Sequence, residues 1–278
     1  MDVLSPQNDT EQVKRPGVKV IQFTDCHLGP MESETLLGLN TDQSLEDVLQ
    51  LIQQNEPQID QLLCTGDVAS AGHTDGYYRF HQMLRRYFPQ PLAWLPGNHD
   101  SAEIMAASAK KLSIESRLVE IGNWLIVMLD SSVPGHVHGH LESSELDYLS
   151  YVLSHNHDNK PVMICLHHQP VAVGSEWVDQ YIVHNANALF ELVDSYPQIK
   201  IISWGHVHQE FVGKRNHVAL FATPSTCVQF MPLCKDFTVD TQMPGYRWFD
   251  LMPDGKFATG VNRVTDKSYV IDYKSAGY

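Results

Sequence analysis

The sequence predicts an α/β protein in which two sheets carry helices on their outer sides. Three observations support this expectation. Short apolar runs alternate with amphipathic segments from residue 18 to 204, and consecutive strands follow once the helical signal fades. The 278 residues are also enough to bury one sizeable core. Residues 1–17 are polar, with no apolar stretch, and are expected to form a flexible tail ahead of a single domain over 18–278.

Each element follows from its own pattern. Val18, Val20, Ile21 and Phe23 make 18–23 a buried strand. Leu45, Val48, Leu49 and Ile52 recur at helical spacing and predict a helix over 43–54. A strand over 59–64, a helix around 77–87 and a strand over 91–95 come next. Ser101 is placed to cap a helix running through Lys111. Two neighbouring strands are expected at 118–121 and 124–129, then a helix over 142–153, a strand over 161–166, a helix over 186–193 and a strand over 199–204. Later strands fall at 218–223, 246–251 and 257–264, the last two joined in a hairpin at Asp254-Gly255. Residues 169–185 read as a loop over a site rather than a boundary.

Composition excludes several classes. No run approaches the ~18 apolar residues that span a bilayer, so no membrane partner and a cytoplasmic location are expected. Cys26, Cys64, Cys165, Cys227 and Cys234 show no C-x-x-C spacing, and reduced, mostly buried thiols are expected. The net charge is −14, and the basic residues cluster no further than adjacent pairs such as Arg85-Arg86 and Lys110-Lys111, which argues against a nucleic-acid partner. A small phosphate compound drawn in by local metal charge fits this balance. The sequence sets no oligomeric state.

Five motifs at or just beyond strand ends carry chemistry: Asp25-Cys26-His27, Gly66-Asp67, Gly97-Asn98-His99-Asp100, His167-His168 and Gly205-His206-Val207-His208. Ligands gather beyond the carboxyl ends of strands in β/α sheets, so loops from five strands can meet at one point. Imidazoles and carboxylates with an amide oxygen, and no thiolate, suit iron, manganese or zinc. Two ions about 3.5–4 Å apart need a shared anionic ligand, and Asp67 is the expected bridge. One metal is assigned Asp25, His27, Asp67 and His208; the second is assigned Asp67, Asn98, His167 and His206. On extended backbone, residues i and i+2 of D-x-H and H-x-H point to the same side. Two divalent ions, two carboxylates and a bridging hydroxide leave roughly one positive charge to meet an anionic phosphate. The expected reaction is in-line hydrolysis by that hydroxide, with His99 protonating the leaving oxygen. Asp100 is expected to orient a histidine, and Gly66 and Gly97 to permit tight turns.

The other histidines are set apart. His73, His81, His155, His157, His184 and His217 are read as packing or surface residues, and His168 is expected to point away from the site. Gly135-His136-Val137-His138 repeats the tetrapeptide at 205–208, but it lies several residues beyond its strand, so the ligands are assigned to the second copy. Asp130 is expected to shape its loop.

The ordered set D-x-H, G-D, G-N-H-D, H and G-H-x-H resembles the calcineurin-like metallophosphoesterases over about residues 18–230. Residues 174–180 (GSEWVDQ), 222–230 (ATPSTCVQF) and the C-terminal Gly277-Tyr278 extend the resemblance, over nearly the full length, to bacterial class III 3′,5′-cyclic AMP phosphodiesterases. Cys26 departs from the Thr common between the first two ligands. The resemblance implies a four-layer α-β-β-α sandwich with two central mixed sheets. It also implies a dinuclear centre of two divalent ions, Fe(2+) ahead of Mn(2+). Nucleotide contacts are implied at His27, Asp67, Asn98, His99 and His208, with cyclic AMP hydrolysed to 5′-AMP. Two alternatives stand beside this: a broader phosphodiesterase acting on 2′,3′-cyclic nucleotides or other nucleotide diesters, and a non-catalytic interaction module, which would be expected to lose ligands.

Overall fold

Most strands are apolar on both faces, which requires cover on both sides. The structure, a computed structural model describing residues 17–114 and 117–277, supplies that cover. The expected tail up to Pro16 and the terminal Tyr278 lie outside the described residues. In chain order the elements are β1 (Val18–Phe23), β2 (Thr35–Leu36), β3 (Leu39–Asn40), α1 (Thr41–Asn55), β4 (Gln61–Thr65), α2 (Thr74–Tyr87), β5 (Leu92–Leu95) and α3 (Ala102–Leu112). There follow β6 (Leu118–Ile121), β7 (Trp124–Met128), α4 (Ser143–Ser154), β8 (Val162–Cys165), α5 (Ala186–Ser195) and β9 (Ile199–Trp204). The last elements are β10 (Phe211–Arg215), β11 (Val218–Ala222), β12 (Gln229–Phe230), β13 (Val239–Asp240), β14 (Gly245–Leu251) and β15 (Phe257–Arg263).

One sheet has the order β15-β14-β1-β4-β5, with β1, β4 and β5 parallel and the outer pair antiparallel. The other has the order β10-β11-β9-β8-β7-β6, parallel except for its two edge strands. Strand periodicity sorts the side chains into layers. In β4, Leu62 and Cys64 pack toward the helices α1 to α3, whereas Leu63 joins the layer between the sheets. In β8, Val162 and Ile164 pack with α4 and α5, whereas Met163 and Cys165 face the opposite sheet. Trp124, Phe221 and Phe249 also fill that central layer, and burying a side chain of this kind contributes about 1.5–3 kcal/mol. The result is the four-layer α-β-β-α sandwich.

The expected elements form, with shifted ends. Helix α1 begins before Gln43 because the Asn40 side chain accepts the Gln43 N–H at 2.7 Å. Ser101 caps α3, and the β14–β15 hairpin turns through Gly255 at φ +83°. Strand β10 has no apolar run, since its residues alternate half-buried and exposed along a sheet edge. Strands β2, β3, β12 and β13, at two residues each, are too short to show a period. Among the described residues, no helix is long and apolar enough to cross a membrane. The five cysteines are unpaired, and Cys26, Cys64, Cys165 and Cys227 are buried.

Candidate metal centre

Parallel neighbours β1, β4 and β5 bring Asp25, Asp67 and Asn98 to one end of their sheet. Strands β8 and β9 do the same for His167 and His206 in the facing sheet. Loop-to-loop hydrogen bonds hold each set together: Asp25 N–H donates to Gly66 O at 3.0 Å, and Gly205 N–H to His167 O at 3.1 Å. Other bonds join the sheets, among them His206 N–H to the Asp25 carboxylate at 3.1 Å.

The local backbone differs from the extended form expected for D-x-H and H-x-H. Asp25, His27, Asp67, His206 and His208 are all left-handed, with φ of +55°, +49°, +51°, +62° and +48°. Such a conformation costs a non-glycine residue roughly 1–2 kcal/mol. Strain gathered at one point and held by surrounding hydrogen bonds is characteristic of a functional site. Both members of each pair still reach the cluster, by a sharper route than a strand would give.

The side chains converge. Asp67 Oδ1 accepts the His99 backbone N–H at 2.8 Å. Its other oxygen, Oδ2, lies 3.3 Å from His167 Nε2 and 3.7 Å from His27 Nε2. Asp25 Oδ1 is 3.3 Å from His208 Nε2, which is 3.1 Å from His27 Nε2. Asn98 Oδ1 lies 3.2 Å from His167 Nε2. His167 Nδ1–H donates to Thr65 O and His208 Nδ1–H to Val228 O, both at 2.8 Å. Those two carbonyls require a proton on Nδ1, so Nε2 is the nitrogen that faces the cluster and can ligate once it is unprotonated. Both ring nitrogens of His206 are buried without a hydrogen-bond partner among the described residues. An unpaired buried polar atom costs about 1–3 kcal/mol. In a set of carboxylates, imidazoles and one amide, these orphaned nitrogens fit metal ligation.

Charge within the cluster is strongly coupled. Burial, joined by the nearby His99 and His208, pushes His27 down to about 3 despite the attraction of Asp67. Burial also opposes a charged His167, but the Asp67 and Asp25 carboxylates override it and raise the group to about 9. Burial works against the Asp67 carboxylate as well, and attraction to His167, His99 and His27 holds it well below the usual range. The polypeptide is therefore arranged to keep negative charge at Asp67 and positive charge beside it.

Two neighbours depart from expectation. Asp100 orients no histidine; its carboxylate accepts the N–H groups of Gly97, Ala69 and Val68 at 2.9, 3.0 and 3.1 Å and the Tyr77 hydroxyl at 3.0 Å. It clamps the Asp67 loop to the Asn98 loop. His168 does not turn away. Its ring lies 4.7 Å from that of His206, Nε2–H donates to Val137 O at 3.1 Å, and Nδ1 accepts the Ser131 hydroxyl at 2.9 Å. Gly66 makes its tight turn at φ +97°. Gly97 matters for close approach instead, since a Cβ there would collide with Asp67 Oδ1 and His167. Asp130 shapes its loop by accepting the Ser132 N–H and hydroxyl at 2.8 and 2.6 Å. His136 lies exposed outside the cluster, and His138 stacks on His184 at 3.9 Å. Phe230, which ends the 222–230 segment and was assigned no role from sequence, has its ring flat against His208 at 4.3 Å. A cleft of about 320 Å³ opens beside His99 and His206.

Comparison with known proteins agrees with this geometry. The calcineurin-like phosphoesterase family matches residues 18–210. The 3′,5′-cyclic adenosine monophosphate phosphodiesterase CpdA of Pseudomonas aeruginosa is 42% identical over 261 residues, covering 94% of this chain and 95% of that one. The enzyme of the same name from Escherichia coli K12 is 38% identical over 263 residues, covering 94% and 95%. Among solved structures, a dimetal phosphatase from Danio rerio superposes with a TM-score of 0.68 at 13% identity, covering 94% of this chain and 100% of that one, and it shares the fold. With a family match over most of its length and relatives that cover nearly all of it, the chain belongs to the calcineurin-like phosphoesterase family.

Proposed function

We propose that the protein is a hydrolase that converts 3′,5′-cyclic AMP to 5′-AMP at a dinuclear metal centre. Near-full-length similarity to enzymes named for that reaction supports the substrate. The observation that carries the centre is the position of Asp67 Oδ2 between His167 Nε2 and His27 Nε2. One carboxylate oxygen there would serve two ligand sets. Asp25, His27, Asp67 and His208 would hold one ion, and Asp67, Asn98, His167 and His206 the other, with Fe(2+) ahead of Mn(2+). Such ions supply water acidified toward neutral pH and offset charge on the phosphodiester.

The chain's own residues do the rest. His27, Asp67, Asn98, His99 and His208 surround the position of the phosphate. In the net reaction a bond forms from water oxygen to phosphorus and the bond from phosphorus to O3′ breaks. A ring N–H of His99 gives its proton to O3′ as that bond opens. His99 suits this task because its backbone is held by Asp67 while its half-buried side chain borders the cleft.

The test is product analysis by phosphorus NMR on protein supplied with Fe(2+) or Mn(2+), beside Asn98→Ala. Formation of 5′-AMP, strongly reduced in the variant, is expected. Cleavage of 2′,3′-cyclic nucleotides or simple diesters with no turnover of cyclic AMP would overturn the substrate assignment.

A further inference from the structure

We propose that residues 225–230 clamp the ligands of one ion and leave the other largely independent, with Ser225 the main positioning residue; the inference rests on the dinuclear reading above. The first ion is the one assigned to Asp25, His27, Asp67 and His208. Segment 222–230 marks the subgroup in the sequence, yet it contributes no ligand to either set.

Asp25 has a left-handed backbone at φ +55°. Such a conformation is fixed once the two peptide planes flanking the residue are fixed. Both planes are held from this segment. Thr226 N–H donates to Thr24 O at 3.0 Å, and the Ser225 hydroxyl donates to Asp25 O at 2.8 Å. The same hydroxyl accepts the Cys227 N–H at 2.8 Å, so its single proton is committed to Asp25. His208, left-handed at φ +48°, is gripped by the other end of the segment. Its Nδ1–H donates to Val228 O at 2.8 Å, and its carbonyl accepts the Phe230 N–H at 3.1 Å. The Phe230 ring covers its imidazole.

The clamp is itself braced. Gln229 Nε2 donates to Ser225 O and Cys227 O at 2.8 and 2.9 Å, while its Oε1 accepts from Arg263 at 3.1 Å. Ser44 on α1 donates to Thr226 O at 2.6 Å. Ser225, Thr226 and Gln229 are buried, so water does not compete for these bonds. The second ion's ligands draw support elsewhere: His167 from Thr65 O, and the Asn98 loop from Asp100 through Gly97 N–H. The His206 N–H bond to the Asp25 carboxylate links the two sets, so a smaller echo at the second ion is expected.

The test titrates metal-free protein with Mn(2+) and follows the free ion by EPR. Wild type should take two ions. Asn98→Ala keeps the first ion's four ligands, and His208→Ala keeps the second's. Adding Ser225→Ala should weaken Mn(2+) binding about tenfold or more in the Asn98→Ala background, and at most about threefold in the His208→Ala background. A general loosening of the fold would weaken both alike. Ser225→Cys, which keeps a weak donor, should recover part of the loss. If Ser225→Ala fails to fold, Phe230→Leu replaces it, since it keeps the backbone N–H and removes only the ring from His208. Its expected cost is about threefold, in the Asn98→Ala background alone. Equal losses in the two backgrounds, or none in Asn98→Ala, overturn the clamp and leave the dinuclear centre standing. Wild type that takes fewer than two ions overturns the dinuclear reading and the clamp with it.

Discussion

Gly-His-Val-His occurs twice in this chain, and the two copies behave differently. At 205–208 it follows β9 directly, both histidines are buried and left-handed, and Asp25 receives the His206 N–H as well as facing His208 Nε2. At 135–138 it lies on a loop beyond β7, His136 is exposed, neither histidine is left-handed, and His138 stacks on His184 instead of meeting a carboxylate. Histidine spacing is the same in both. What separates them is a strand end that aims the loop, a buried carboxylate that meets it and a backbone strained to fit. A metal site is a property of that surrounding, and the tetrapeptide supplies only the donors.

Replacing each histidine pair by alanine tests this contrast at its strongest. His206→Ala with His208→Ala should lower cyclic AMP turnover by about a thousandfold or more, because each ion loses an imidazole. The same change at His136 and His138 should leave turnover within about twofold of wild type. Steady-state rates at saturating metal decide it, and comparable losses from both pairs would erase the distinction.

Within the buried copy's surroundings, His99→Ala should cut kcat for cyclic AMP by about a hundredfold or more, the size expected for a lost general acid. Methyl 4-nitrophenyl phosphate, whose leaving group needs little help from a proton, should lose much less. Equal losses on both substrates would make His99 a positioning group and not a proton donor.

Smaller in scale is a pH effect that the exposed copy should lack. His167 is raised to about 9 in the metal-free protein, so an incoming ion displaces its proton below that pH. Metal affinity should climb by about tenfold per pH unit from 7 toward 9 and then level off. The same proton stabilises the metal-free fold fully below the ordinary 6.5, and that contribution is lost as pH rises through about 9. Calorimetric titrations at several pH values read both, and a flat affinity would remove His167 from the ligand set.

The smallest difference lies at the leading glycines. A Cβ on Gly205 would collide with Thr24 Oγ1 and Asp25 Oδ2, so Gly205→Ala should cost about 1–3 kcal/mol in urea denaturation and weaken metal binding. Gly135 has open space but a φ of +75°, so Gly135→Ala should cost about 1–2 kcal/mol of backbone strain and leave metal content alone.

Much of this was legible in the residues. Two-sided apolar strands such as Leu62-Leu63-Cys64 announce a sheet covered on both faces, and the ligand candidates stand just past strand ends, where loops converge. The roles of Asp100 and His168 were not legible, because motif spacing gives proximity along the chain while their partners (Val68, Ala69, Ser131 and Val137 on other loops and Tyr77 on α2) come from elsewhere in the chain. The left-handed turns were hidden for a related reason, since nothing in Asp-Cys-His marks a conformation imposed by its neighbours. Strand β10 escaped because an edge strand needs no apolar run. Trp177 could be read as part of a subgroup motif, but its buried, unmet N–H appears only once the chain is packed.

In the proposed centre a single oxygen of Asp67 would serve two ions. Its most direct test is metal content by inductively coupled plasma mass spectrometry on wild type and Asp67→Asn, with cyclic AMP turnover measured on the same samples. The account predicts close to two ions per chain in the wild type, with both ions and turnover lost in the variant. A variant that kept two ions and full turnover would contradict it.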